Sequence, residues 1–387
     1  MIYRSKKQIE QIKKDLEKKI VFISGPRQVG KTTLSKLLTS NFDYLNFDII
    51  EDRAKIIKQD WNWNKEVIIF DELHKKTKWK SWLKGIYDRE VRPHLLVTGS
   101  AKLNTYKKVG DSLAGRFFEH RLHPLDLKEL KGQGNSKENF QKLLKQGGFP
   151  EAFTSLKETD AARFRKSHLD VILRQDLIDL ETVKNITGIE TLIALMKDRV
   201  GGGISFSSLA RDLEVDPKTV KNWIRILEDL YVIFSVRPYS SKITRSILKE
   251  PKVYFFDNGQ VKADEGARFE NLVATALLKE IHLMEDLYGV NGELFYLRNK
   301  EKIEVDFLVV IDRRPVLLVE AKMSDTQVTP SLAHYSQYFK ENKINPNIKS
   351  VQLVANFSET KKNKNGIEVS SAIRWLENID FKNISES

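Results

Sequence analysis

The chain has 387 residues, 41% of them apolar, with no cysteine and a formal net charge of +12. That length suggests two or three domains with real cores, and the lack of cysteine excludes disulfides, thiolate metal sites and cysteine nucleophiles, leaving carboxylates, Lys, Arg and hydroxyls to build any site. No apolar run approaches a membrane span and the first 19 residues are charged and helix-like, unlike a signal peptide, so a cytoplasmic protein with no membrane partner is expected; a pI near 9.4 favours an anionic partner, nucleic acid first.

Residues 1–18 read as a short basic amphipathic helix. Ile20-Val21-Phe22-Ile23 is an apolar strand. After Ser24 comes Gly25-Pro26-Arg27-Gln28-Val29-Gly30-Lys31-Thr32-Thr33, which matches G-x-x-x-x-G-K-[ST] without a mismatch. A strand enters it and a helical pattern (Leu34, Leu37, Leu38) leaves it, the context in which this motif is a phosphate-binding loop. The glycines let successive N–H groups point inward at phosphate oxygens, and the following helix adds the positive end of its dipole. Lys31 is placed to reach the β- and γ-phosphates, and the Thr32 hydroxyl to ligate Mg²⁺.

Tyr44 to Asp48 reads as a second strand and Lys55 to Trp63 as a polar helix. Val67-Ile68-Ile69-Phe70-Asp71-Glu72 is an apolar run ending in two carboxylates, as a buried parallel strand does when it delivers acids to a site at its carboxyl end. Asp71 can hold the hydration shell of Mg²⁺, and Glu72 can orient the attacking water. His94 to Ser100 is the next buried strand. Thr98 or Ser100 is placed to sense the γ-phosphate or the water, with simple strand capping as the alternative. In Ser112-Leu-Ala-Gly-Arg116, Arg116 can act as an arginine finger, in its own subunit or across an interface; the alternative is a surface arginine. No Asn-Lys-x-Asp motif points to guanine. Asp71-Glu72-Leu73-His74 matches a helicase-type box, but no second motor domain follows.

Residues 131–139 are a linker by composition, and Gly147-Gly148-Phe149-Pro150-Glu151 opens a second unit. Helical patterns run from His168 to Leu180 and from Leu192 to Val200. Phe206 to Val232 then reads as a helix-turn-helix. Leu209, Ala210 and Leu213 face inward from the first helix. Asp216 is an N-cap and Pro217 sits at the first position of the second. That helix turns Val220, Trp223, Ile224, Leu227 and Leu230 inward and Lys218, Lys221 and Arg225 outward. A strand, Tyr231 to Val236, follows as a wing would, and the 237–252 stretch is basic. One reading puts the second helix in a DNA major groove; the other makes this a packing module that touches no DNA.

The third unit carries a helix from Gly266 that includes Glu270. Strands follow at 294–297, 304–310 and 316–322, then a helix bearing Tyr335, Tyr338 and Phe339, and a last strand from Ser350. Six Glu-x-Lys triplets occur, starting at Glu17, Glu129, Glu250, Glu320, Glu341 and Glu359. Only Glu320 closes an apolar strand that follows an Asp-bearing strand, that of Asp306. Residues two apart on a strand share a face, so Glu320 and Lys322 point the same way. Asp306 and Glu320, with Glu270 from the helix, can hold a divalent cation, and Lys322 can position or activate water at a phosphodiester. The alternative is an inactive relic with the acids in salt bridges; Arg298, Lys300 and Lys302 are the basic partners nearest in sequence.

Taken together, Gly25 to Thr33, Ile68-Ile-Phe-Asp-Glu72, Thr98-Gly-Ser100, Leu113-Ala-Gly-Arg116, Gly147 to Glu151, Arg268-Phe-Glu-Asn271, Glu304-Val-Asp-Phe307 and Glu320-Ala-Lys322 resemble the archaeal and bacterial AAA-type P-loop ATPases that carry a C-terminal domain of the PD-(D/E)xK nuclease-like class. The resemblance implies an α/β chain. Its parts would be a P-loop ATPase domain (1–130) with a parallel sheet and helices on both faces, a helical and winged-helix domain (147–250), and a restriction-endonuclease-like α/β domain (251–387). The Pro-Asp pair that names the class is absent, since Val305 precedes Asp306. The expected activity is ATP hydrolysis with Mg²⁺, coupled to the C-terminal domains and associated with DNA. A second Mg²⁺ or Mn²⁺ in the last domain and a homo-oligomer through the ATPase domain are further expectations. The alternative is a nucleotide-switched signalling or scaffold protein whose last domain is catalytically dead.

Overall fold

The structure, a computed structural model, describes residues 4–89, 92–99, 113–177, 185–240 and 250–385. Ser100, most of the segment leading to Arg116 and the middle of the basic 237–252 stretch lie outside the described residues. The chain forms two compact units, Met1–His123 with Asp229–Tyr231, and Pro124–Glu228 with Val232–Ser387.

In the first unit a helix, α1 (Lys6–Leu16), precedes β1 (Ile20–Ser24), α2 (Lys31–Leu37), β2 (Phe42–Asn46), α3 (Ile50–Lys58), β3 (Val67–Asp71), α4 (Trp79–Tyr87), β4 (His94–Thr98) and β5 (Phe117–Arg121). The strands form one parallel sheet in the order β2-β3-β4-β1-β5. β1 and β3 are buried along their whole length, which is why both read as unbroken apolar runs. The helix expected at 55–63 lies earlier, at α3. Gln59, at φ +58°, ends it. Trp61 then turns into the core, its ring 5.4 Å from Phe70 and 6.0 Å from Trp82. Burying two indoles against β3 outweighs continuing a polar helix.

In the second unit come α5 (Leu127–Leu130), α6 (Ser136–Gln146), α7 (Pro150–Thr154), α8 (Glu158–Val171) with a π-turn at Ile172–Asp176, α9 (Ile186–Lys197), α10 (Phe206–Asp212) and α11 (Pro217–Asp229). Next are β6 (Ile233–Pro238), β7 (Lys252–Phe255), α12 (Glu265–Tyr288), β8 (Gly292–Arg298), β9 (Glu304–Ile311) and β10 (Arg314–Lys322). The chain closes with α13 (Pro330–Glu341), β11 (Lys349–Val354), β12 (Thr360–Lys362), β13 (Glu368–Ser371), α14 (Ala372–Glu377) and α15 (Phe381–Ser385). Half of the expected 131–139 linker is helix. The Asn135 side chain accepts from the Lys137 and Glu138 N–H groups and starts α6, a capping signal that overrides the polar composition.

An eight-stranded mixed sheet runs β12-β13-β11-β10-β9-β8-β6-β7. β6 and β7 pair antiparallel, Ile233 opposite Phe255, and β6 also pairs with β8. The expected boundary at 250/251 therefore falls between two paired strands. β6, β7 and the strands of the last α/β layer share one sheet inside one compact unit, because β6 pairs with β7 on one side and with β8 on the other, across the expected boundary.

Candidate active site

The loop between β1 and α2 is shaped by its backbone. Gly25 has φ +141°, and a Cβ there would lie 2.2 Å from the Leu122 carbonyl oxygen, so only glycine fits. Gln28 and Gly30 are also left-handed, at +58° and +98°. The Lys31 ammonium, almost wholly buried, donates to the Gly25 and Pro26 carbonyls at 3.0 and 2.7 Å. A charged amine donating to its own loop lies within reach of the loop's hollow.

Beside it, Asp71 closes β3 with its carboxylate held from three sides. Thr32 Oγ1 and Tyr44 OH donate to Oδ2 at 2.8 and 2.7 Å, and Thr98 Oγ1 donates to Oδ1 at 2.5 Å. All three donors are neutral hydroxyls, so they orient Asp71 without bringing an opposite charge to it. Thr98 or Ser100 was expected to sense the γ-phosphate or the water; Ser100 lies outside the described residues, and the Thr98 hydroxyl donates to Asp71. Tyr44 was not among the expected site residues; it reaches Asp71 only because β2 pairs with β3. Burial, the hydrogen bond to Asp71 and that carboxylate's charge push the Tyr44 hydroxyl well above its ordinary range, so it stays a donor.

Glu72 follows at φ +55°, and its N–H donates to the Thr98 carbonyl at 3.2 Å. A non-glycine residue in this conformation costs on the order of 1 kcal/mol and turns the chain sharply off the strand. Glu72 Oε2 is buried and accepts no hydrogen bond; His74 Nε2 and Lys75 Nζ lie 3.5 and 3.7 Å away. Burial raises the Glu72 pKa, Lys75 pulls it back and Asp71 pushes it up again. An oriented, buried acceptor next to Asp71 is what a water-holding base needs.

Arg116 stands elsewhere. β5 runs parallel to β1 with Phe117 opposite Ile20, and the Arg116 carbonyl accepts from Ile20 N–H at 3.1 Å. It therefore flanks the start of β1, while the phosphate loop leaves its end, about 16 Å away at roughly 3.3 Å per residue. Its Nε pairs with Asp88 at 3.0 Å. Arg116 thus lies at the opposite end of β1 from the phosphate loop of its own chain.

The expected C-terminal cluster does assemble. Asp306 on β9 accepts from Ala321 N–H of β10 at 2.9 Å. Lys322 pairs with Glu320 at 2.8 Å. Glu270 of α12 lies close enough for the charge of Asp306 to act on it. The residue that organises them is Lys252, at the start of β7. Its ammonium, 3% exposed, lies 2.7 Å from Glu304, 3.2 Å from Glu270 and 3.7 Å from Asp306. Tyr254, two residues on and on the same face, donates to Glu270 at 2.6 Å. Burial alone would push Lys252 down, but Glu270, Asp306 and Glu304 together hold it above the usual lysine range. Burial and the Asp306 charge raise both Glu270 and Glu320 to about 7.

These residues do not fit the expected second metal. Among the described residues no group of three or more His, Cys, Asp or Glu side chains converges as a metal site. A lysine of the chain's own stands where the cation would. The expected partners were Arg298, Lys300 and Lys302; of these, Arg298 reaches Glu304 at 3.6 Å. Lys252 belongs to a Glu-x-Lys triplet, Glu250-Pro-Lys252, set aside because it closes no apolar strand. It opens one instead, and a lysine leading Val-Tyr-Phe-Phe was the missed signal.

The Mg²⁺ of the first unit does fit its residues. Thr32 and Asp71 would hold it, a hydroxyl and a carboxylate being the hard oxygen donors it takes. Such a site needs few carboxylates, because phosphates and water complete the shell. Bound there, the ion supplies charge neutralisation along the phosphate chain.

Residues 17–131 match the model of the AAA domain. The matched stretch lies in the first unit, apart from its last eight residues, and includes the phosphate loop and Asp71. Residues 137–268 and 265–373 match two domains of unknown function, DUF8612 and DUF4143. The chain is similar to an uncharacterised protein of Methanocaldococcus jannaschii, 24% identical over 89% of this chain and 86% of the relative. An uncharacterised protein of Mycobacterium tuberculosis is 26% identical over 76% of this chain and 68% of its own length. A Walker-type ATPase of Pyrococcus abyssi is similar to it at a TM-score of 0.42 and 15% identity, over 67% of this chain and 95% of that one. Among the described residues no helix is long and apolar enough to cross a membrane.

Proposed function

We propose that the chain is an ATP-hydrolysing AAA-type ATPase. The observation that carries this is Asp71, held by Thr32, Tyr44 and Thr98 beside Lys31 and followed by the strained Glu72. In this reading Lys31 binds the β- and γ-phosphates, the loop N–H groups of residues 25–33 orient them, and Glu72 holds and polarises the attacking water. Lys31→Ala is expected to abolish hydrolysis and weaken nucleotide binding; hydrolysis at the wild-type rate in that variant would overturn the reading.

Its C-terminal unit acts as a DNA-contacting or protein-contacting module rather than a nuclease. Support comes from Lys252 in the acid cluster, and from exposed Lys218, Lys221 and Arg225 on α11, the second helix of a helix-turn-helix followed by the β6–β7 hairpin. A gel shift on duplex DNA across a salt series tests it. Each phosphate contact steepens the fall of affinity with salt, and Lys221→Ala should lower that slope by about 1. Absence of any salt-sensitive shift leaves the protein-contacting scaffold reading. Arg116 is proposed to complete the site of a second copy. Mixing Arg116→Ala with Lys31→Ala protein should restore some hydrolysis that neither shows alone; a normally active Arg116→Ala would end that proposal.

A further inference from the structure

The residue that holds the phosphate loop from outside lies before the first helix. Arg4 Nη1 donates to the His123 carbonyl at 2.9 Å, and Arg4 Nη2 donates to the Val29 carbonyl within the loop. The same Nη2 would lie 3.6 Å from a Cβ placed on Gly30. One guanidinium therefore joins the segment after β5 to the loop after β1. Two more contacts align α1 along the same stretch. Gln8 donates to the Arg121 carbonyl at 3.2 Å, and Asp15 pairs with the buried His120 at 2.9 Å.

The contact falls on a peptide that matters. The amide between Val29 and Gly30 is trans and planar, so its C=O and N–H point in opposite directions. Holding the Val29 oxygen toward Arg4 turns the Gly30 N–H away from Arg4. With Gly30 in the left-handed region, this peptide is free to flip unless something fixes it, since glycine has no side chain to choose an orientation.

We propose that Arg4 is a positioning residue of the nucleotide site, which pins the Val29 carbonyl outward so that the Gly30 N–H faces the bound phosphates. The proposal rests on the ATPase reading and adds a residue outside the loop motif to it. A charged hydrogen bond to a carbonyl is strong enough to hold one of two peptide orientations. Arg4 touches no phosphate in this account; it acts through the loop.

The test is equilibrium binding of fluorescent ADP with Mg²⁺ to the full chain, beside the melting temperature without nucleotide. Arg4→Ala should weaken ADP binding about tenfold or more, and Arg4→Lys, which keeps one donor, should recover part of the loss. Gln8→Ala removes a neighbouring contact of α1 without touching the loop; it should lower the melting temperature while binding ADP normally. ADP affinity unchanged in Arg4→Ala overturns the inference alone. So does an equal loss in Gln8→Ala, which would make the effect one of helix docking. A wild-type chain that binds neither ADP nor ATP overturns the ATPase reading, and the inference with it.

Discussion

Two clusters in this molecule place carboxylates and lysines at strand ends, and they neutralise their acids differently. Around Asp71 the hydrogen-bond donors are hydroxyls, and Lys31 is folded back onto backbone carbonyls. Neutral donors orient the acid and leave its charge available to a cation from outside. Around Glu270, Glu304 and Asp306 the donor is the ammonium of Lys252, which supplies the opposite charge from within. The first arrangement is built to receive a ligand. The second is already complete, and its acids contribute to holding β7, α12, β9 and β10 together.

Removing the internal cation breaks the comparison most strongly. Lys252→Met leaves Glu270 and Asp306, both largely buried, and the partly exposed Glu304 without their shared partner, and losing one side of a buried ion pair costs about 3–5 kcal/mol. Denaturant unfolding at neutral pH should show that loss. In the same variant, without nucleotide, Mn²⁺ should raise the melting temperature, while the wild-type C-terminal unit should not respond. A wild-type response equal to the variant's would return the cluster to the status of a metal site.

Glu72→Gln sharpens the other side. It keeps the size of the side chain and removes the charge that polarises water. ATP binding should persist while turnover falls several hundredfold, roughly 3.5 kcal/mol of lost transition-state stabilisation. Near-normal turnover would reduce Glu72 to a strained turn residue.

Thr98→Val tests whether the neutral donors matter. The substitution keeps the shape and deletes one hydrogen bond to Asp71, which should lower kcat about tenfold. If the rate is unchanged, Thr32 and Tyr44 suffice to orient the carboxylate.

The smallest effect is in pH dependence. Glu270 and Glu320, raised to about 7 by burial and the Asp306 charge, hold protons in the folded state that they release when unfolded. Their contribution is therefore full below the ordinary carboxylate range and is lost as pH rises through about 7. Melting temperature should decline over that window for the wild type, and Glu270→Gln should flatten the decline. A profile that rises over the same window would mean that Lys252 keeps Glu270, and Lys322 keeps Glu320, ionised.

Much of the first site was legible because its chemistry is local. Gly25 to Thr33 is one continuous stretch that carries its glycines, lysine and threonines at fixed spacing, and Asp71 and Glu72 follow an apolar run that reads as a buried strand. Tyr44 and Arg4 were not legible. Each acts across the sheet or beside it, and nothing near them in sequence marks a tyrosine or an arginine as belonging to the site. The cluster in the second unit was half legible. Strand alternation put Glu320 and Lys322 on one face, and the apolar runs made β9 and β10 neighbours.

What the chain alone determined, then, was the phosphate loop, the acid that ends β3 with the acid that follows it, and the placing of Asp306 and Glu320 on neighbouring strands, because short-range periodicity and backbone sterics dictate them. Tertiary structure alone decided that Arg116 lies at the far end of its own sheet, that Thr98 serves Asp71, and that Lys252 fills the acid cluster. The physical reason is the same in each case. Direction along a parallel sheet and the choice of ionic partner depend on which strands pair, and Lys252 reaches Glu270, Glu304 and Asp306 only because β6 joins the sheet beside β8 and carries β7 with it.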